Sequence, residues 1–274
     1  MRHKHVFALY SAVCLLVLAG CRPDVQPPTE SSPEEVYRQW LALADAPVDR
    51  IDFSAAVMLG EQLAAADRMD LVLDALGSPE ANPKVKVLAV VTLTPLVRPE
   101  MESRLAELTA AANEATTRAC AVKLLGFIDS DTARARLREL MGDAEHRTRV
   151  TATLMLARAR DAEALDALPA LWADPETGTS ERIELVWSLP DEASERFAPI
   201  YKEAALDLEL DPEVRIRAVT ALGKIGDADA AEILDRCSVD DPVPAMREMA
   251  RAALAALHAR TASSEENAPE TGEE

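Results

Sequence analysis

The chain repeats itself with a period of 31 to 34 residues, and this periodicity constrains its fold more than any other feature. An alanine lies four residues before six of seven recurring leucines, and a basic residue lies seven residues before six of them. Aligned columns at a fixed period are typical of repeat architectures, in which each unit packs mainly against its neighbours. The recurring leucines are Leu59, Leu93, Leu125, Leu156, Leu189, Leu222 and Leu254.

Each unit is predicted to contain two helices. Residues three and four positions apart share one face of a helix, so the base, the alanine and the leucine of a unit point the same way. A second amphipathic segment follows each first helix, for example 132–141 and 228–237. The sequence therefore predicts an all-α fold of stacked helix pairs.

The most regular unit, Val214 to Asp227, resembles a HEAT repeat, in particular the HEAT-like variety named after phycobilin lyases. The resemblance covers about residues 50–258 and implies a right-handed α-solenoid of about seven two-helix repeats. The fifth unit departs from the pattern, because Leu185 replaces the alanine and Pro190 replaces a glycine. In the first unit Asp52 replaces the base.

The column of bases has two interpretations. An anion-binding strip is one. The other is a ladder, since Asp143, Asp211 and Asp241 precede bases of the column by four to six residues, and the resemblance implies that such acids and bases link neighbouring repeats. We favour the ladder, because buried bases need partners. The bases are Lys86, Arg118, Arg149, Arg182, Arg215 and Arg247.

The face opposite the leucines is expected to be exposed and to line the concave side of the solenoid. At 100° per residue, positions two, five and nine before each leucine lie on that face. An exposed face that combines apolar residues with a tryptophan is typical of interaction sites. We predict that a protein or peptide partner binds there; the alternative is that loops cover these side chains or that they are scattered surface residues. The candidate binding residues are Lys84, Leu88, Val91, Lys123, Arg147, Leu154 and Trp187.

Residues 1–20 have the pattern of a secretory signal peptide, with basic residues before an apolar run that is too short to span a bilayer comfortably. The run ends in Leu18-Ala19-Gly20-Cys21, which resembles the lipobox of bacterial lipoproteins. The resemblance implies that Cys21 is lipidated and anchors the mature chain to a membrane of the cell envelope. In a host with two membranes, Arg22 resembles the pattern that permits export to the outer membrane, facing the periplasm. The alternative is an ordinary signal peptide with a chance cysteine.

Two flanking segments do not follow the repeat. Residues 21–32 are polar and proline-rich, which predicts a tether. Ser32, Pro33 and Glu35 form a capping-box pattern, so the solenoid is predicted over residues 33–260. Residues 261–274 carry five glutamates and no base, which predicts a disordered acidic tail.

Charge and residue types narrow the function. With 29 Lys and Arg against 48 Asp and Glu, the formal net charge is −19, which disfavours a nucleic-acid partner. Cys120 and Cys237 lie several repeats apart and are predicted to be unpaired and buried. Neither His146 nor His258 has sequence neighbours that suggest a catalytic or metal-binding set. Deoxyhypusine hydroxylase, a HEAT-repeat metalloenzyme, would need His-Glu dipeptides, and the sequence has none.

These observations favour a lipid-anchored envelope scaffold or adaptor that binds a protein or peptide. We expect no catalytic residues, no cofactor and no metal, and hence no enzyme. The alternative is an enzyme, or an accessory subunit of one, that acts on envelope material. For that alternative, Asp191 and Glu192 in the irregular fifth unit are the candidate acids.

Overall fold

The computed structural model describes residues 31–47, 50–190 and 194–266. The predicted signal peptide and Cys21 therefore lie outside the described residues, as do most of the predicted tether and the acids Asp191 and Glu192. None of the helices within the described ranges is long and apolar enough to cross a membrane.

The predicted all-α, solenoid-type fold is confirmed: over the described ranges every regular element is a helix. Six of the seven repeating leucines lie within a helix, and the remaining one, Leu189, is the C-cap of its helix. A shorter partner helix follows each of the first six of these seven helices. The α-helices are α1 (Pro33–Ala42), α2 (Phe53–Ala65), α3 (Asp70–Gly77), α4 (Pro83–Leu93), α5 (Glu102–Leu108), α6 (Ala115–Leu125), α7 (Asp131–Leu140), α8 (His146–Arg158), α9 (Ala162–Ala173), α10 (Thr179–Ser188), α11 (Ala198–Leu206), α12 (Pro212–Ile225), α13 (Ala228–Asp240) and α14 (Pro244–Glu266).

Both ends of the helical region can be compared with the prediction. Helix α1 begins at Pro33, and the Ser32 hydroxyl accepts the backbone N–H of Glu35 at 3.3 Å, as the capping pattern predicts. Helix α14 continues past Arg260 to Glu266, so the start of the predicted acidic tail is helical. The rest of that tail lies outside the described residues.

The chain divides into two compact units at the boundary between Ala164 and Leu165, within α9. In the first unit, α1 packs on α2, and the fully buried Trp40 donates its indole N–H to the Thr92 hydroxyl at 2.8 Å. In the second unit, α12 packs against α11 and α14.

The leucine and alanine columns form the cores of the units, as predicted. Five of the seven leucines, from Leu93 to Leu222, are buried. The two terminal positions, Leu59 and Leu254, are half-buried instead. In α2 the buried residues are Ala56, Gly60 and Leu63, one position later than the repeat predicts. A terminal repeat has a neighbour on one side only, so its helix can rotate away from the common phase.

The predicted ladder of bases and acids is confirmed in both units. In the first unit, Arg118 forms an ion pair with Asp143 and donates its Nε–H to the Thr109 carbonyl at 3.2 Å. The next base of the column, Arg149, donates to the backbone carbonyl of Asp143 at 2.9 Å. Asp143 thereby links two successive repeats.

The second unit repeats this construction. Arg215 forms an ion pair with Asp241 and donates its Nε–H to the Ala205 carbonyl at 3.3 Å, while Arg247 donates to the backbone carbonyl of Asp241. Asp211, a third predicted ladder acid, has another function: its carboxylate accepts the Glu213 N–H at 2.9 Å and caps α12.

Arg182 occupies the same column but lacks this partnership. Its guanidinium carbon lies 5.2 Å from the centre of the Trp172 ring, and its Nε is a buried nitrogen without a hydrogen-bond partner among the described residues. Trp172 in turn donates its indole N–H to Glu203 at 2.7 Å. The fifth unit, in which the sequence repeat is least regular, is therefore also the one in which the ladder is altered.

Both cysteines within the described ranges are free and buried, as predicted. Burial raises the pKa of the Cys120 thiol to about 11, because a thiolate would lose its hydration there. The charges of Arg147, Lys123 and Lys86 oppose this effect and only partly offset it.

Candidate functional site

The predicted concave-face residues of the first unit do not form an exposed surface. Leu88, Val91, Lys123 and Leu154 are at most 4% exposed, so the prediction of their exposure was wrong. Helices α4 and α6 pack against neighbours on several sides, and every residue from Val85 to Leu93 is buried. The face opposite the leucines is therefore a second packing surface there.

The predicted basic residues of the first unit are partly accessible. Lys84 and Arg147 are half-buried at the start of α4 and α8. The ammonium group of Lys84 donates to the Ala44 carbonyl at 3.3 Å and to the Ala46 carbonyl at 2.6 Å. Lys84 thus satisfies carbonyls at the end of the preceding helical turn, and a binding role for Lys84 and Arg147 stays a prediction.

The second unit holds a pocket at the predicted face. Its volume is about 400 Å³, within the range of small-molecule and side-chain binding sites. Trp187 of α10, the half-buried tryptophan among the candidate residues, forms part of its wall. The lining residues are Trp187, Pro190, Tyr201, Glu213, Ile216, Arg217, Thr220, Ala221 and Lys224.

Helix α12 supplies most of the pocket wall, for a reason that is visible in its sequence. Asp211 caps the helix, Pro212 occupies its first turn, and Gly226 ends it in the left-handed region with φ 76°. Within these limits, the lining residues from Glu213 to Lys224 recur every three or four positions and share one face. The opposite face carries Ala218 and Leu222, which are buried in the core.

Arg217 fixes the tryptophan wall. Its guanidinium carbon lies 5.2 Å from the centre of the Trp187 ring. Its Nε–H and Nη2–H donate to the carbonyls of Val186 at 3.1 Å and Leu189 at 2.9 Å. Both carbonyls lie at the C-terminal end of α10, where Pro190 has no N–H to donate to Val186, so Arg217 both completes the helix terminus and holds the indole in place.

Tyr201 and Pro190 close the pocket from the side of α11. The Tyr201 side chain is 1% exposed, and its hydroxyl donates to the Pro190 carbonyl at 3.3 Å. Pro190 replaces the glycine of the regular repeat, and it ends α10 just after the tryptophan. The irregularity of the fifth unit therefore coincides with the pocket.

The charges of the pocket are arranged along α12. Glu213 lies in its first turn and Lys224 in its last, and both residues are exposed. Between them lie the apolar and aromatic lining residues together with Arg217 and Thr220. The site can therefore hold an apolar group and contact polar or charged groups at either end.

Sequence reasoning identified part of this site. The periodic face places Trp187, Glu213 and Thr220 together, as the structure does. Tyr201 and Pro190 were missed because they lie outside the repeated face, on α11 and in a connection. The one sequence feature that could have indicated these two residues is the break of the repeat at Pro190.

The HEAT-repeat sequence profile, described as "HEAT repeats", matches residues 101–189 and 179–255, together more than half of the chain. A curated relative, deoxyhypusine hydroxylase of Candida glabrata, is 36% identical over 75 residues. These residues are 27% of this chain and 23% of the relative, so the chain spans less than a quarter of that enzyme's length in the match.

Two solved structures are similar. Human deoxyhypusine hydroxylase in complex with glycerol has a TM-score of 0.37 and 18% identity, over 93% of this chain and 98% of that chain. The complex of CpcE and CpcF of phycocyanin lyase from Nostoc sp. PCC7120 has a TM-score of 0.41 and 16% identity, over 85% of this chain and 90% of that chain.

The curated match corrects one expectation. We predicted that the chain is not an enzyme, because its sequence shows no recognisable catalytic set. That prediction is contradicted, because the curated relative that the chain matches is an enzyme by name.

Proposed function

The chain belongs to the HEAT-repeat family, and from this premise we propose that it works in an enzymatic reaction, as an enzyme or as an accessory subunit of one. We propose that its part in that reaction is to hold a protein partner or substrate by an apolar group in the pocket of the second unit. The observation that best supports this proposal is the position of Trp187. Arg217 holds its ring from one side, and the ring borders a pocket of about 400 Å³.

Two features of the pocket support a binding role. The Trp187 ring is only half-buried, and an accessible tryptophan at a fixed orientation is the residue type that contributes most to protein recognition. Arg217 satisfies two backbone carbonyls, so the wall is preorganised and little side-chain entropy is lost when a ligand binds.

The similarity to a curated enzyme supports the enzymatic part of the proposal. Because of this similarity, we favour a role in an enzymatic reaction over a purely structural scaffold. The proposal retains protein binding, which the scaffold hypothesis shared.

Photocrosslinking from position 187 tests the proposal. A photoreactive phenylalanine replaces Trp187 in the full chain, and the matched control places it at Val239, which is 68% exposed in the same unit. We expect one protein to be captured from position 187 and not from position 239. Equal capture from both positions would overturn the assignment of the pocket.

A second step tests the enzymatic part. The captured protein is incubated with the wild-type chain or with the Trp187→Ala variant, and its mass and activity are measured. We expect a covalent change of the captured protein, or a rise in its own turnover, that depends on Trp187. A partner that is neither modified nor itself an enzyme contradicts the proposal.

We also propose that this function is carried out at the cell envelope, with the mature chain anchored by lipid on Cys21. The Leu18-Ala19-Gly20-Cys21 sequence after an apolar run supports this anchor. Metabolic labelling with palmitate tests it: Cys21→Ser should lose the label and the membrane association, whereas Cys14→Ser, within the predicted signal peptide, should keep both. Label retained in Cys21→Ser rules out this anchor.

A further inference from the structure

The charges at the two ends of α12 give the pocket a direction. Glu213 and Lys224 lie on the same face, three turns apart, and at 1.5 Å per residue their Cα atoms are separated by roughly 16 Å along the helix axis. A negative charge therefore marks one end of the pocket and a positive charge the other.

The middle of the pocket is mainly apolar and aromatic, and the Arg217 guanidinium in it donates to the Val186 and Leu189 carbonyls. Trp187, Ile216 and Ala221 lie between the two charges. The volume gives room for one aromatic or large aliphatic side chain with its neighbouring backbone. A ligand that uses the whole site therefore needs an apolar group flanked by two charged groups of opposite sign.

The separation of the charges indicates what kind of ligand this is. An extended peptide rises about 3.3 Å per residue, so two residues five positions apart are separated by roughly 16 Å. This matches the distance between Glu213 and Lys224 along α12. A peptide can therefore pair with both ends of the site while one side chain between them enters the pocket.

We infer that the pocket binds an extended peptide segment in which a basic and an acidic residue, about five positions apart, flank an apolar side chain. The basic residue pairs with Glu213, the acidic residue pairs with Lys224, and the apolar side chain lies against Trp187. This inference rests on the proposed function and specifies the chemistry of the segment that the pocket holds.

Three synthetic peptides test the inference, each N-acetylated and C-amidated and dye-labelled for fluorescence anisotropy. The mixed-charge peptide is Lys-Ala-Phe-Ala-Ala-Glu, and the other two carry Glu or Lys at both ends. Because the chain as a whole is acidic, with a net charge of −19, it attracts basic peptides at long range. We therefore use the ratio of the affinities for two peptides, measured at physiological salt, and compare this ratio between the wild-type chain and each variant.

Each exposed ion pair should contribute about threefold in affinity. We expect the wild-type chain to prefer the mixed-charge peptide over the diacidic one by roughly tenfold, because the diacidic peptide loses the pair with Glu213 and places a like charge against it. Glu213→Lys should shift the preference to the diacidic peptide, and Lys224→Glu should shift it to the dibasic peptide. This double change of specificity does not depend on the direction in which the peptide chain runs.

Controls separate the two charges from other effects. Thermal unfolding is measured for each variant, because both substitutions oppose the dipole of α12. Arg251→Glu, at an exposed position on α14, changes the net charge as Lys224→Glu does and should leave the order of preference unchanged. A mixed-charge peptide with Ser in place of Phe should bind more weakly than its parent.

The outcomes separate this inference from the proposed function. No binding of any peptide by the wild-type chain, or the same order of preference in all variants, overturns the charge-directed peptide site. If Trp187→Ala nevertheless abolishes binding of the partner identified by crosslinking, the proposed function stands without the charge-directed site. If the captured partner binds Trp187→Ala as tightly as the wild-type chain, the proposed function fails as well.

Discussion

Arg215 and Asp241 form an ion pair across 26 positions of the chain, and each of their side chains is only 3% exposed. In the first unit Arg118 and Asp143 form the equivalent pair across 25 positions. In both pairs the base comes from a leucine-bearing helix and the acid from the connection that follows the partner helix. Together with the backbone contacts of Arg149 and Arg247, these pairs join one repeat to the next.

Removing the acid of a buried pair should be strongly destabilising. Asp241→Asn leaves the Arg215 charge buried without its counter-charge, and we expect the free energy of unfolding to fall by about 3–5 kcal/mol. Urea denaturation measures this change. The control is Asp131→Asn, since Asp131 pairs with Arg134 on the surface, where such pairs contribute about 0–1 kcal/mol. Equal effects of the two substitutions would contradict a structural role of the ladder.

Arg182 and Arg215 share a position in the repeat but should respond differently to the same substitution. Arg182→Met removes a nitrogen that lacks a partner and keeps the apolar stem, so we expect stability to change by less than about 1 kcal/mol. Arg215→Met leaves Asp241 buried and unpaired and should cost about 3–5 kcal/mol. Thermal denaturation of both variants gives the comparison. A loss at Arg182 as large as at Arg215 would show that Arg182 has a partner of equal importance.

Gly223 allows α12 and α14 to approach closely. A Cβ added at Gly223 would lie 2.7 Å from the Ala253 Cβ and 3.1 Å from its Cα. Because the Ala253 backbone cannot rotate away, we expect Gly223→Ala to lower the free energy of unfolding by about 1–3 kcal/mol, despite the better helix propensity of alanine. At Gly142 the nearest atom is the Glu139 carbonyl oxygen at 3.6 Å, so Gly142→Ala should be tolerated. Chemical denaturation of the two variants distinguishes close packing from a general effect of losing glycine.

The Cys120 thiol should make stability depend on pH under alkaline conditions. Its pKa is raised by burial to about 11, above the value of an unfolded cysteine. The folded state therefore keeps the proton longer than the unfolded state, so this contribution is fully present below about pH 8.5 and is lost as the pH rises to about 11. We expect the decrease in stability between these pH values to be smaller in Cys120→Ala, by at most about 3 kcal/mol. Urea denaturation at both pH values, with a reducing agent present, measures the difference; parallel curves for the two proteins would contradict it.

Substitutions at Leu154 and Trp187 should separate an effect on core packing from an effect on partner binding. Leu154 is 2% exposed, so Leu154→Ser should lower the free energy of unfolding by more than about 2 kcal/mol. Trp187 is half-buried at the pocket, and Trp187→Ser should have a smaller effect on folding and a large effect on capture of the partner. Thermal unfolding and equilibrium binding of the partner identified by crosslinking from position 187, measured on the same preparations, separate the two effects.

The sequence predicted the helices and the central core because both depend on local periodicity. Leu125 and Leu222 repeat at a fixed interval, and each is buried as the pattern requires. The same spacing predicts that Leu59 is buried. It is half-buried instead, because a terminal repeat lacks one neighbour. Periodicity within a helix contains no information about what packs beside it.

The exposed face was predicted wrongly in the first unit for a related reason. Apart from Lys84, Lys86 and Thr92, helix α4 consists of apolar residues distributed over all its sides, and a helix with this pattern is buried all round. Leu88 and Val91 therefore belonged to the core, and the composition of the whole helix was the signal that could have shown it. In the second unit α12 carries charges at Glu213 and Lys224, and its face is accessible as predicted.

The contacts that shape the pocket could not be predicted from periodicity. Arg217 binds carbonyls 28 and 31 positions earlier, and Tyr201 binds the carbonyl of Pro190. These contacts depend on how three helices pack against one another, and the spacing of apolar residues does not determine that packing.

The ladder also limits how such a chain can change in length. Each pair joins an arginine to an aspartate about one repeat later, so removing one whole repeat in register would bring an arginine to an equivalent aspartate. A deletion of any other length between the two paired residues would shift the aspartate away from its arginine and leave both charges inside the protein without partners. Gene rearrangements that keep the array foldable are therefore those that add or remove complete repeats.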